Sequence, residues 1–283
     1  MDLLFATVFC LITTLSYSAT NSSRHQIIFT DTSLPIFPFE INYHLDTLTG
    51  KTAVADFNTH YQEVERDIIF AINRMSSSLV RKGKVLIMPD SLSQHILDYS
   101  PFPDSLPVFD SLHKLILIGR RIQAFAIYED GKLIRWGPVS SGKKSTPTPA
   151  GLFHTNFKAL VKVSSENDTW IMPWYFNFYA RIGIALHQYF LPGYPASHGC
   201  VRMQEKDAKW IYDWADLWKI SSKTGAVTVT GAPVIIFGDY VFGASPPWIN
   251  LPNDKQATML TSLELEEIFS YLPVIRTDVV LRK

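Results

Sequence analysis

Between residues 114 and 136 the chain carries three short apolar runs, 114–118, 123–128 and 132–136, and only Glu129-Asp130-Gly131 separates the last two. Runs this short, rich in β-branched and aromatic residues, fill a pleated surface, and Asp-Gly supplies the positive φ that a tight hairpin needs. A helix would need a longer stretch with apolar residues three and four apart. Strand character returns at 227–229 and 234–237, on either side of Gly231-Ala232-Pro233. The middle of the chain is therefore expected to be mainly β.

Helices are predicted around it. Residues 204–219 space Trp210, Trp214 and Trp218 four apart, which puts them on one face, read as the side packed on the sheet. Upstream, 62–77 places Val64, Ile68, Ile69, Ile72 and Met75 on one helical face, and 84–88 reads as a strand closed by Pro89. The run Ile72-Asn73-Arg74 followed by Arg81 to Pro89 resembles the end of a LysM-type wall-binding module. A proline-rich stretch over 99–107 marks a boundary, and 258–271 reads as a helix in the tail. The predicted organisation is a small α/β N-terminal region over 24–110, a β domain over 111–240 and a helical C-terminal tail over 244–283.

The chain opens with Met1-Asp2, an uncharged stretch over 3–17, and then Ser18-Ala19-Thr20. Fifteen uncharged residues are short for a membrane span but suit a secretory signal peptide, read here as 1–18; because Asp2 gives no basic leader, an uncleaved anchor is the alternative. Either way the protein is expected to be exported, to the periplasm or cell wall, with no stable membrane span after cleavage. Formal charge is zero, with 26 basic and 26 acidic residues, which speaks against a nucleic-acid partner. Residues 111–238 nevertheless hold fifteen Lys and Arg against eight Asp and Glu, while the rest holds eleven against eighteen. A basic middle fits attraction to an anionic substrate, or acidic flanks docking on it.

Of two cysteines, Cys10 would leave with the signal, so Cys200 remains as a lone thiol. A lone cysteine is often inert core filling, and its neighbours decide otherwise here. Cys200 stands in Pro195-Ala196-Ser197-His198-Gly199-Cys200-Val201-Arg202, with Ala185-Leu186-His187 upstream. A free thiol is only a few per cent ionised at neutral pH, so a cysteine nucleophile needs an imidazole beside it, and His187 and His198 both qualify. Gly199 permits close approach, so the N–H groups of Gly199 and Cys200 are candidate oxyanion donors. Zinc held by His187, His198 and Cys200 is a rival, disfavoured because no paired metal-ligand spacing accompanies them.

The segment Ser197-His198-Gly199-Cys200-Val201-Arg202 with His187 upstream resembles the signature of the L,D-transpeptidases, the YkuD-like catalytic domain. Pro138-Val139-Ser140-Ser141-Gly142-Lys143 with Thr146-Pro147-Thr148-Pro149-Ala150-Gly151-Leu152-Phe153 is similar to a second family segment, and Gly231-Ala232-Pro233-Val234 to a third. The resemblance implies a β-sandwich with one prominent helix after the cysteine. It implies attack by Cys200 on the bond between meso-diaminopimelate and D-Ala in a peptidoglycan stem peptide, through a thioester and with no cofactor. His187 would then be the general base, while His198 orders the site. Arg202 would hold a substrate carboxylate, with Ser197, Gly199 and Gln188 on the substrate side. Only nine residues separate His187 from Ser197, so a short or displaced lid is expected. Gln188 stands where some members carry a serine that orients the imidazole; a backbone carbonyl or the Gln188 amide would have to serve. Trp170, Met172, Trp174, Tyr175, Phe176 and Phe178 would wall the groove or pack the core. The same machinery would serve an L,D-carboxypeptidase or a crosslink-cleaving amidase, and a non-catalytic wall-binding protein is the reading outside the enzymes.

Overall fold

The computed structural model describes residues 41–164 and 167–281, so the expected signal segment and residues 24–40 lie outside the described residues. Strands β1 (Tyr43–Thr47) and β2 (Val85–Pro89) pair antiparallel and enclose helices α1 (Ala53–His60) and α2 (Glu63–Ile72). Helix α1 escaped the sequence reading because only Ala53 and Phe57 are buried in it, too few for a visible period. Helix α2 is shorter than the 62–77 expected. Asn73 turns its amide back onto the carbonyls of Ile69 and Ile87, both at 2.8 Å, and Arg74 takes a positive φ of 55°. Ile68, Ile69, Ile72 and Met75 are buried as predicted, but Val64, in the first turn, is 48% exposed.

Next come β3 (Leu115–Gly119), β4 (Ala124–Glu129), β5 (Lys132–Ser140), β6 (Gly151–His154), β7 (Lys158–Val163), β8 (Ile171–Tyr179), β9 (Ile184–Gln188) and β10 (Val201–Met203). After β10 follow α3 (Glu205–Trp214), β11 (Lys219–Ile220), β12 (Val227–Val229), β13 (Pro233–Phe237), α4 (Ser262–Ser270) and α5 (Leu272–Leu281). Nine strands form one sheet in the order β6-β13-β3-β4-β5-β10-β9-β8-β7. Strand β5 belongs to both halves, pairing with β4 over most of its length and with β10 at Val139 and Ser140. Ile116, Phe125 and Ile127 from one half share a core with Phe176, Leu186 and Val201 from the other. Phe153 and Phe178, from strands far apart in the sheet, bring their rings within 5.6 Å. The expected sandwich is thus one continuous sheet curled on itself.

The reverse face of β3 and β4 is covered too. Leu115, Leu117, Ala124 and Ala126 pack with Ile68, Phe102, Trp248 and Ile268, so residues 68–109 and the tail share one core with the sheet. Burial on both faces explains why these strands read as unbroken apolar runs and not as alternation. Within the proline-rich stretch Tyr99, Phe102 and Leu106 are buried, and the Tyr128 hydroxyl donates to the Pro103 carbonyl at 2.6 Å. Arg74 joins the three segments. Its guanidinium lies 5.4 Å from the Trp136 ring and 5.6 Å from the Trp248 ring, and its Nε donates to the Ile122 carbonyl at 2.8 Å. Complete burial lowers its pKa to about 9.

Three expectations need correcting here. Helix α3 stops at Trp214, short of 219, because Ala215 is extended and Lys114 caps the end, donating to the Trp214 carbonyl at 2.8 Å and the Asp216 carboxylate at 2.9 Å. A cation there opposes the negative end of the helix dipole. Trp218 therefore leaves the helix, and the packed face is Asp207, Ala208 and Ile211, with Trp210 and Trp214 half-buried and stacked at 5.4 Å beside it. Second, β12 pairs with β11 in a separate hairpin, outside the main sheet. Third, the tail helix starts at Ser262, not 258, because Thr261 and Glu264 form a reciprocal cap.

Candidate active site

The site is built from strand register. Strands β9 and β10 run parallel with Val201 beside Leu186 and Arg202 beside His187. Side chains alternate along a strand, and Leu186, Val201 and Met203 face the core. His187, Arg202 and Cys200, one residue before β10, therefore share the opposite face. They open onto a cavity of about 670 Å³ that Ser197 and His198 also line. Gly199 and Gln188 are not among its lining residues and act through their backbone.

His187 is 4% exposed, and its Nδ1 lies 2.9 Å from the main-chain carbonyl of Gln188. A carbonyl only accepts, so Nδ1 carries the hydrogen and the Nε2 lone pair is left for a proton. The orienting group is thus this carbonyl. Burial lowers the imidazole pKa to about 4, opposed by the Gln188 bond and reinforced by the Arg202 cation. Neutral imidazole is the form present at pH 7. The Cys200 thiol is half-buried and donates to the Gly183 carbonyl at 3.9 Å. Burial raises its pKa, partly offset by the Ala185 backbone bond and by Arg202. Both shifts favour the uncharged forms, a neutral thiol and a neutral imidazole.

The loop before Cys200 is held from within. The Ser197 hydroxyl donates to the Cys200 carbonyl and accepts the Gly199 N–H at 3.1 Å. The Gly199 N–H, a candidate oxyanion donor from the sequence, is engaged by Ser197 Oγ in this structure. Gly199 adopts φ of 113°, a conformation that favours glycine. Thr148 crosses to this loop, its Oγ1 accepting the Gly142 N–H at 2.8 Å and donating to the Gly199 carbonyl at 2.7 Å. A Cβ on Gly142 would lie 2.2 Å from the Thr146 carbonyl oxygen. The Gly142 and Thr146-Pro147-Thr148 segments therefore serve as the bed of the cysteine loop.

His198 sits at the exposed rim. Its ring lies 4.4 Å from the Trp170 ring, and Lys143 Nζ donates to its Nε2 at 2.7 Å. An ammonium only donates, so the Nε2 lone pair is engaged by Lys143. Arg202 lays its guanidinium 4.6 Å from the Tyr189 ring and has no carboxylate partner among the described residues. Lys162 adds a second cation to the walls, which carry no carboxylate among the described lining residues. The aromatic stretch divides. Trp170, Met172 and Tyr175 line the cavity, Phe176 and Phe178 enter the core, and Trp174, at φ of 53°, shifts the alternation and packs on Tyr212 at 5.6 Å.

The short connection from His187 to Ser197 is fastened to the N-terminal region. Ser76 N–H donates to the Leu191 carbonyl and Leu191 N–H to Ser76 Oγ, both at 2.9 Å. Sequence reasoning missed Lys143, Thr148, Tyr189 and Ser76 as supporting residues. Lys143 and Thr148 were visible only as part of a motif, and Ser76 carried no signal. Among the described residues no group of three His, Cys, Asp or Glu side chains is placed to hold a metal ion, and no helix is long and apolar enough to cross a membrane.

Residues 114–236 match the family model described as the L,D-transpeptidase catalytic domain, YkuD. Among solved structures the chain is similar to an L,D-transpeptidase from Stackebrandtia nassauensis, with 24% identity over 45% of this chain and 57% of that one, TM-score 0.38. It is similar to Mycobacterium tuberculosis L,D-transpeptidase 1, with 22% identity over 44% and 62%, TM-score 0.34. A third, residues 123–326 of an L,D-transpeptidase from Xylanimonas cellulosilytica, is 24% identical over 71% of this chain and all of that one, TM-score 0.43. The chain thus spans about three fifths of the length of the first two. No curated protein matches the sequence.

Proposed function

From a chain whose residues 114–236 match the model of the L,D-transpeptidase catalytic domain, we propose that it is an exported cysteine acyltransferase acting on peptidoglycan stem peptides. His187 Nε2 takes the Cys200 proton as the sulfur attacks the carbonyl between meso-diaminopimelate and D-Ala. The Cys200 N–H faces the developing oxyanion. The proton passes from His187 to the departing D-Ala amine, and the acyl group stays on sulfur as a thioester. A second stem's amine attacks the thioester, its proton returns through His187, and the thiol is restored. Bond energy is conserved through the thioester, so no cofactor is called on. Arg202 holds a substrate carboxylate in a bidentate pair, and His198, fixed by Lys143 and Trp170, shapes the rim.

The observation that carries this reading is the β9–β10 register, which gathers Cys200, Arg202 and a His187 with only Nε2 open on one cavity face. The β1-α1-α2-β2 unit, bearing the LysM-like run, is assigned to wall attachment, and residues 1–18 to export. Intact-mass spectrometry tests the chemistry: wild type incubated with a diaminopimelate tetrapeptide should gain the acyl mass and Cys200→Ala should not. Crosslinked dimers mean transfer, released D-Ala without dimers means an L,D-carboxypeptidase, and no adduct refutes the nucleophile. N-terminal sequencing of protein recovered from the cell envelope tests the cut after residue 18.

A further inference from the structure

A buried row of polar groups runs through β8, the strand paired with the one that carries His187. Asn177 and Tyr175 lie two apart in β8, on the face opposite Phe176 and Phe178, which is the face that carries His187 and Cys200. Asn177 is fully buried and Tyr175 is 3% exposed. Asn177 Nδ2 donates to the Tyr175 hydroxyl at 3.0 Å, and that hydroxyl donates to the Gly183 carbonyl at 3.0 Å. The same carbonyl accepts the Cys200 thiol hydrogen at 3.9 Å. Asn177 Oδ1 is buried without a hydrogen-bond partner among the described residues. A buried amide left half-satisfied is destabilising, and packing alone would be served better by an apolar residue. What the amide does is fix the polarity of the row. With Nδ2 donating into the phenol oxygen, the Tyr175 hydrogen points onward to the Gly183 carbonyl.

We propose that Tyr175 is a positioning residue for Cys200: aimed by Asn177, its hydroxyl shares the Gly183 carbonyl with the thiol and turns its hydrogen to the sulfur when the thiolate forms. This rests on Cys200 being the reactive thiol of the reading above. Once His187 holds the proton, sulfur can no longer donate to Gly183, and two electron-rich atoms face each other. Rotation about one C–O bond moves the phenol hydrogen from carbonyl to sulfur. No covalent bond to Tyr175 changes, and burial, reinforced by the Cys200 charge, raises its pKa and keeps it protonated.

The test needs no substrate. Alkylation of Cys200 by iodoacetamide is followed by intact mass on the full chain from pH 6 to 10.5, for wild type and Tyr175→Phe, which keeps the ring. Loss of the sulfur's hydrogen bond should raise the apparent thiol pKa, making alkylation about threefold to tenfold slower at pH 7.5, with rates converging where the thiol is fully ionised. Asn177→Leu should act in the same direction, and the double variant should be no slower than the slower single. An unchanged pH profile overturns the proposal, and so does equal slowing at every pH, which reports only altered access. Should Asn177→Leu fail to fold, Tyr175→Phe decides alone. Because alkylation is independent of stem peptides, the expected shift with no acyl adduct on wild type would sink the transpeptidase reading and leave the role of Tyr175 standing.

Discussion

Acidification should expose His187 through stability, because the folded protein resists protonating it and the unfolded chain does not. An unfolded histidine titrates near pH 6.5, whereas burial holds His187 at about 4. The sign follows from proton counting. Between these values the unfolded state binds the proton and the folded state does not, so stability falls as pH falls through that window. At about 1.36 kcal/mol per pH unit, the gap between about 6.5 and about 4 is worth about 3 kcal/mol. Urea unfolding of wild type and His187→Gln at pH 7 and pH 4 isolates this contribution, since the other titrating groups are common to both proteins. Wild type should lose about 3 kcal/mol more than the variant over that interval. Equal losses, or a folded-state NMR titration of the His187 ring centred near 6.5, would refute the reasoning and return the imidazole to the ordinary histidine range.

Other perturbations read other parts of the molecule. With thiol and imidazole both neutral at rest, wild-type alkylation should climb about tenfold per pH unit through pH 7 to 8.5, whereas a plateau beginning below pH 6 would mean a preformed ion pair. Arg74→Met removes the cation between Trp136 and Trp248 and its bond to Ile122, and should cost about 3 kcal/mol in urea unfolding. A loss under 1 kcal/mol there would mean the apolar stem does all the bonding of the three segments. Gly142→Ala would drive a methyl into the Thr146 carbonyl, so it should lower stability by about 2 kcal/mol or more and slow Cys200 alkylation; wild-type values on both counts would contradict the account of the loop bed. Ser76→Ala loses the bond to Leu191 and should cost about 1 kcal/mol, with faster proteolysis within 189–196 as the specific sign.

How much was legible beforehand depends on the range of the interaction that decided each feature. Hairpin chemistry at Asp130-Gly131, the apolar runs that became β3, β4, β5 and β13, and the reactive-loop motif are all local, and local sequence carried them. The end of α3 was not legible, because Lys114, about a hundred residues away, caps it. Nor was the phase change at Trp174, a single positive φ that sends Tyr175 to the cavity and Phe176 to the core. The aromatic stretch could be read as groove or core, and the positive φ at Trp174 made it both.

The sequence by itself determined which chemistry is available: one thiol in residues 41–281, two histidines near it, and glycines where the backbone must turn tightly. Only the tertiary structure decided how those groups are divided. Parallel pairing of β9 and β10 sets Cys200, His187 and Arg202 on one face, while Lys143, brought in from another strand's end, engages His198 at the rim. Burial then fixes the charge states, since desolvation depends on what the rest of the chain packs around a group and not on its neighbours in sequence. The Gln188 carbonyl and the Gly199 N–H make the same point for the backbone: every residue has these groups, and only the folded geometry determines which one orients an imidazole and which one is taken by a turn.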